Sequence, residues 1–116
     1  MNYERGLMKL FHNYYTYIVQ CNDKSYYVGI TNDIERRILE HNNGEDEKSY
    51  TYNRRPIIMK FYEHFTDVNQ AIAREKQLKG WGRKKKEALF EQDFILLAEL
   101  SRSKQINDDA NAKSNV

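Results

Sequence analysis

Five residues stand at spacings that could assemble one chemistry. Glu75 lies in a stretch whose apolar residues, Val68, Ala71, Ile72 and Leu78, recur as on one side of a helix. Projected at about 100° per residue from Val68, Leu78 falls near ~280°, Ala71 near ~300°, Ile72 near ~40° and Glu75 near ~340°. A carboxylate inside an apolar arc must be ion-paired, hydrogen-bonded or bound to a cation, because burying a bare charge is costly. Two readings stay open: an internal pair with an Arg or Lys, and ligation of a metal. In the same projection from Ile34, Ile38 falls near ~40°, Arg37 near ~300° and His41 near ~340°, so Arg37 and His41 share the inward face. The bland alternative is an Asp33–Arg37 surface pair worth a few tenths of a kcal/mol, with His41 a bystander.

Tyr17 and Tyr27 would complete such a site only if they point to one side. Side chains alternate along a strand, so hairpin register decides. A four-residue loop over 22–25 places Tyr17 opposite Ile30 and Tyr27 opposite Gln20, on opposite faces. An odd loop or a bulge places Tyr17 opposite Gly29 and Tyr27 opposite Val19, on one face. A shared site requires the odd register.

A second feature is basic. Lys79, Arg83, Lys84, Lys85 and Lys86 cluster without an acid among them, and Trp81 sits between two glycines. Such a cluster suits a phosphate backbone, and an aromatic at its edge could stack on an unpaired base. The alternative is a solvated helix face with Trp81 as a buried anchor, which is the more frequent use of Trp. Arg54, Arg55 and Lys60 could extend the basic surface.

The elements that must position these residues follow from patterning. Tyr14 to Cys21 and Tyr26 to Thr31 are rich in aromatic and β-branched residues and read as a hairpin. Thr31-Asn32-Asp33 offers caps for a helix, with Glu35 three residues past Asn32 as in a capping box and a stop near Asn42-Asn43-Gly44. Residues 45 to 55 are polar and patternless, and Ile57 to Phe65 reads as a third strand behind Pro56. Thr66-Asp67 caps the helix bearing Glu75, which stops at Gly80. A third helix begins near Arg83, with Leu89, Phe90, Phe94, Leu96, Leu97 and Leu100 as its packing face. The order β-β-α-β-α-α implies an α+β domain: a small sheet flanked by helices over 14–100, behind a lead-in at 1–13 and before a polar, disordered tail at 101–116.

Composition bounds the rest. The 116 residues suffice for one small core, so an active site must lie on an open face. Nineteen Lys and Arg against seventeen Asp and Glu leave a net charge of +2, so charge distribution matters more than its total. A single cysteine, Cys21, excludes a disulfide framework and a thiolate zinc site. No apolar run has secretory or membrane-spanning length, so the chain reads as soluble and cytoplasmic with no membrane partner. Nine tyrosines exceed what a core of this size needs.

Tyr15-Thr16-Tyr17, then Tyr27-Val28-Gly29, then Arg37, His41 and Glu75 in this order resemble the GIY-YIG nuclease superfamily. The resemblance covers about residues 14 to 90. YVGITNDIERRILEH (27–41) and AIAREKQLKGWGRKKKEAL (71–89) resemble the small stand-alone bacterial members, relatives of the excision-repair incision subunit. Tyr15 and Thr16 replace Gly and Ile of the first tripeptide, Val28 replaces Ile of the second, and Ile30 stands where the repair subunit carries Lys. The resemblance implies a three-stranded, mainly antiparallel sheet flanked by helices, with Gly29 a structural member of the second tripeptide. It also implies Mg²⁺- or Mn²⁺-dependent hydrolysis of a DNA phosphodiester, structure-selective and used in repair or recombination. Glu75 is then the sole carboxylate ligand, which suits a Mg²⁺ that keeps most of its waters, and Arg37 binds non-bridging oxygens.

Tyr17 is the first choice as base by resemblance. A free phenol is only about one part in a thousand ionised at pH 7, so nearby cations must lower its pKa. Tyr27 holds the water or shares the role, and His41 is an alternative proton acceptor. Two further functions compete: a DNA-binding module without catalysis, and an accessory subunit that uses residues 101–116 to dock on a protein partner.

Overall fold

A computed structural model describes residues 12–102; the expected lead-in, except 12 and 13, and the expected tail beyond 102 lie outside them. The described chain divides after Gly80 into two compact units.

The first unit is built on a hairpin. Strands β1 (Tyr14–Gln20) and β2 (Tyr26–Thr31) pair antiparallel, with Tyr17 opposite Gly29 and Val19 opposite Tyr27. The connection spans residues 21 to 25, an odd number. It is closed by the Ser25 carbonyl accepting from the Cys21 N–H (2.8 Å) and by Asp23 Oδ1 accepting from the Ser25 N–H (3.0 Å). Lys24 takes a left-handed φ of 72°. The register is therefore the odd one, and both tyrosines emerge on one face. Strand β3 (Ile58–Phe65) pairs antiparallel with the far side of β1, giving the order β2-β1-β3.

Helix α1 (Ile34–Asn43) covers the tyrosine face. Ile34 and Ile38 pack on a core of Tyr17, Val19, Cys21 and Ile57. Its cap is Asp33, whose carboxylate accepts from the Arg36 N–H (3.1 Å), rather than the Asn32–Glu35 box that the sequence suggested. The Thr31 hydroxyl accepts from the Asp33 N–H (3.1 Å) and so settles where the helix begins. Gly44, at φ 66°, ends it with its N–H turned to the Glu40 and His41 carbonyls.

Helix α2 (Val68–Lys79) lies on the opposite face, where the Thr16 hydroxyl donates to the Ala71 carbonyl (2.8 Å). Asp67 caps it by accepting from the Asn69 N–H (3.0 Å). Ala71 and Leu78 are fully buried, but Val68 and Ile72 are each 37% exposed. The buried stripe is thus narrower than the projection implied, and Glu75 sits at its margin.

In the second unit one expected helix is two. Helix α3 (Arg83–Phe90) buries Ala88 and Leu89, and helix α4 begins at 94 and is still helical at 101 and 102. Gln92 at φ 61° breaks the run, and Asp93 Oδ1 restarts it by accepting from the Leu96 N–H (3.1 Å). Phe94 and Leu96, expected on a packing face, are exposed.

The close passage of Tyr17 over Gly29 makes one substitution diagnostic. A Cβ on residue 29 would stand 2.5 Å from Tyr17 Cζ and 3.0 Å from Cε1. Gly29→Ala must push a buried ring out of a packed core, so a loss of about 1–3 kcal/mol is expected, read as a lower denaturant midpoint at unchanged slope.

Candidate active site

Four of the five residues meet on the face between the hairpin and α1. Tyr17, 1% exposed, places its hydroxyl 2.9 Å from His41 Nε2. The Arg37 guanidinium lies near the same oxygen. Burial drives the Tyr17 pKa up to about 12; the neighbouring Arg37 opposes this, while Tyr27 and Glu75 add to it. The expected lowering by cations is therefore reversed, because burial outweighs the one guanidinium in reach. Tyr17 is a neutral phenol here.

His41, only 4% exposed, is held at both ring nitrogens: Nδ1 lies 2.7 Å from Thr51 Oγ1. Burial, then the positive charge of Arg37, lowers its pKa to about 4, with Glu40 acting weakly against them. The imidazole is accordingly neutral at physiological pH. Arg37, half-buried, donates from Nη1 to Glu40 Oε2 (3.0 Å), and not to the Asp33 carboxylate of the bland alternative.

Tyr27 differs from Tyr17 in being half-exposed. Its ring meets the edge of His41 (5.5 Å between centroids, 70°) and stacks on Tyr50 (6.1 Å, 15°). The Arg54 guanidinium lies 3.8 Å above the Tyr50 ring and is tied to Asp23 Oδ2 (3.1 Å), while Arg55 donates to the Tyr52 carbonyl (2.7 Å). Both arginines thus brace the 49–55 segment instead of extending a basic surface. That segment, read as a patternless loop, contains a 3-10 turn at Tyr52–Arg54 and supplies Thr51 and Tyr50 to the site. Neither was anticipated; the Ser49–Thr51 pair and two tyrosines within a polar loop were the available signals.

Glu75 joins the group through charge alone. It comes from α2 on the opposite layer, raises the Tyr17 pKa, and pairs with Lys79 Nζ (3.4 Å). The partner is a lysine, as one of its two readings had it, but the pair lies at the surface and not inside. An exposed i,i+4 pair contributes only a few tenths of a kcal/mol, and the Lys79 side chain is 54% exposed, so the carboxylate is not locked. Among the described residues no three His, Cys, Asp or Glu converge as a cage. A single hard carboxylate, 18% exposed, nevertheless fits a Mg²⁺-type cation that takes its remaining ligands from water and phosphate.

The basic residues fall in both units. Lys79 ends α2, whereas Trp81 and Arg83 to Lys86 open the second unit. Trp81 is half-buried instead of a full core anchor, with Lys85 Nζ 4.4 Å above its ring. Arg83 pairs with Glu87 (3.3 Å), Lys84 is exposed, and Lys86 is half-buried with its pKa lowered by burial.

Residues 13–88 match the family described as the GIY-YIG catalytic domain. The chain belongs to the GIY-YIG family. It is 41% identical to a UPF0213 protein of Bacillus pumilus over 70% of this chain and 82% of that one. It is 44% identical to a UPF0213 protein of Haloquadratum walsbyi over 68% and 88% respectively. The solution NMR structure of protein EF2693 from E. faecalis is similar, with 36% identity, a TM-score of 0.51, and coverage of 72% of this chain and 88% of that one. The domain places this chain in a nuclease family, and no helix among the described residues is long and apolar enough to cross a membrane.

The buried imidazole gives the GIY-YIG domain a stability signature. An unfolded His titrates near ~6.5, so between there and pH 4 the unfolded state binds the extra proton. Stability should be fully present above ~6.5 and fall by up to about 3 kcal/mol as pH drops to 4. Urea unfolding across this window should show that slope in the wild type and lose most of it in His41→Gln.

Proposed function

We propose that this protein is a divalent-metal-dependent DNA endonuclease. The observation that carries the reading is the meeting of Arg37, Tyr17, Tyr27 and His41 on one face of the sheet inside a GIY-YIG catalytic domain. Phosphodiester hydrolysis needs an oriented water, donors for the phosphoryl oxygens and charge neutralisation at the leaving oxygen. Glu75 would hold the Mg²⁺ or Mn²⁺, which supplies the neutralising charge when bound. Arg37 offers its planar donor fork to the non-bridging oxygens, oriented by Glu40 and Tyr17.

The division of labour between the tyrosines follows exposure. Tyr17 is sealed and held protonated, so its role is to fix Arg37 and His41. Tyr27, half-exposed and braced by Tyr50, is the phenol able to meet an attacking water. His41 has both nitrogens engaged and orients rather than abstracts. Arg83, Lys84, Lys85 and Lys86, and separately Lys79 on the first unit, would contact the phosphate backbone of DNA, and Trp81 would stack on an unpaired base. One small domain has little surface for reading a long sequence, which favours recognition of DNA structure and a place in repair or recombination.

A panel of linear, flapped and branched DNAs with and without Mg²⁺ or Mn²⁺ tests the reading. The wild type should cut only with metal, Glu75→Gln should bind DNA but not cut, and Arg37→Ala should lose about 10²–10³-fold in rate. Tyr27→Phe should cost more than Tyr17→Phe. A wild type that binds but cuts none of the panel would instead identify a DNA-binding module or accessory subunit.

A further inference from the structure

A chain of polar groups runs from the site into the 45–55 segment. The Tyr17 hydroxyl is 2.9 Å from His41 Nε2, His41 Nδ1 is 2.7 Å from Thr51 Oγ1, and Thr51 Oγ1 is 3.1 Å from Ser49 Oγ. Tyr17, His41 and Thr51 are buried, at 1%, 4% and 1% exposure, whereas Ser49 is half-exposed. Every hydroxyl and ring N–H in the buried part must find an acceptor within it.

Only one direction of donation does this. Among the described residues the acceptor in reach of the Tyr17 proton is His41 Nε2. Nε2 must then be bare. A neutral imidazole with a bare Nε2 carries its proton on Nδ1, which donates to Thr51 Oγ1. The Thr51 hydroxyl in turn donates to Ser49 Oγ, whose own proton can reach solvent. In the opposite direction the Tyr17 oxygen accepts from His41, and its own proton is stranded in the core.

We propose that Thr51 is a positioning residue of the site: by accepting from His41 Nδ1–H it fixes the imidazole tautomer and holds the Tyr17 hydroxyl as a donor to Nε2. The Tyr17 oxygen is thereby kept from accepting the imidazole N–H and stays electron-rich beside Arg37, the group that the nuclease reading assigns to phosphate. The tautomer stands independently of that reading; the effect on cutting rests on it.

Long-range ¹H–¹⁵N correlation spectra of the ¹⁵N-labelled full chain report which ring nitrogen of His41 carries the proton. The wild type should show the Nδ1–H form. Thr51→Val, close in shape but without the hydroxyl, should shift the population toward Nε2–H, and Thr51→Ser should restore Nδ1–H. In cutting assays Thr51→Val should lower kcat by about 10-fold or more with KM little changed, and Thr51→Ser should recover it. A wild-type Nε2–H tautomer, or a Thr51→Val variant that keeps Nδ1–H, overturns the proposal. A tautomer switch in a protein that cuts no DNA would leave Thr51 in its role and remove the nuclease reading instead.

Discussion

The hairpin register governs everything else in the site. Five residues between Gln20 and Tyr26 set Tyr17 opposite Gly29 and Val19 opposite Tyr27. A loop one residue shorter would send the two site phenols to opposite faces, and no adjustment of α1 could reunite them. Register alone is insufficient, because a tyrosine directly opposite an ordinary side chain would be deflected. Gly29 leaves the space into which the Tyr17 ring lies down, carrying its hydroxyl toward α1. The tripeptide glycine is thus a packing requirement of the first tyrosine, and it serves function through that geometry.

Once the ring is laid over Gly29, electrostatics sorts the remaining groups. Burial favours neutral forms, so the phenol of Tyr17 is pushed up to about 12 and the imidazole of His41 down to about 4. The two form a neutral hydrogen-bonded pair that takes no charge at physiological pH. Arg37, whose guanidinium cannot be neutralised, remains as the cation among them, and Glu40 offsets its charge without capturing it fully. A rigid neutral wall behind one positive donor is a sound arrangement for meeting a phosphate: its orientation is set before the substrate arrives.

Much of this was legible in the sequence, for physical reasons that can be named. Helix projection placed Arg37 and His41 together because α1 has a strong period and clear ends at Asp33 and Gly44. The strands announced themselves through aromatic and β-branched residues, and the register was correctly posed as a choice between two loops. What escaped was whatever depends on depth or on irregular backbone. Periodicity cannot tell that Ile72 remains partly exposed while Tyr17 is sealed, and that difference is why a lowered phenol pKa was expected where burial raises it. The break at Gln92 leaves no trace in apolar spacing, since Leu89, Phe90 and Phe94 would suit a continuous helix equally well. Thr51 and Tyr50 lie in a segment without period, and only their partners give them meaning.

Glu75 shows how weak and strong interactions can share one residue. Its tie to Lys79 spans 3.4 Å with the lysine side chain 54% exposed, the regime in which an ion pair contributes tenths of a kcal/mol. A divalent cation at the same carboxylate brings twice the charge at shorter range, so the lysine would yield without a change in the helix backbone. The pair can therefore partly satisfy a half-buried carboxylate in the free protein. Its placement on the layer opposite α1 has a further consequence. Arg37 and Glu75 come from different helices packed on the sheet, and among the described residues no hydrogen bond or ion pair joins them directly. The Thr16 hydroxyl, buried against the Ala71 carbonyl one turn before Glu75, is the fastening that transmits the position of the sheet to that carboxylate.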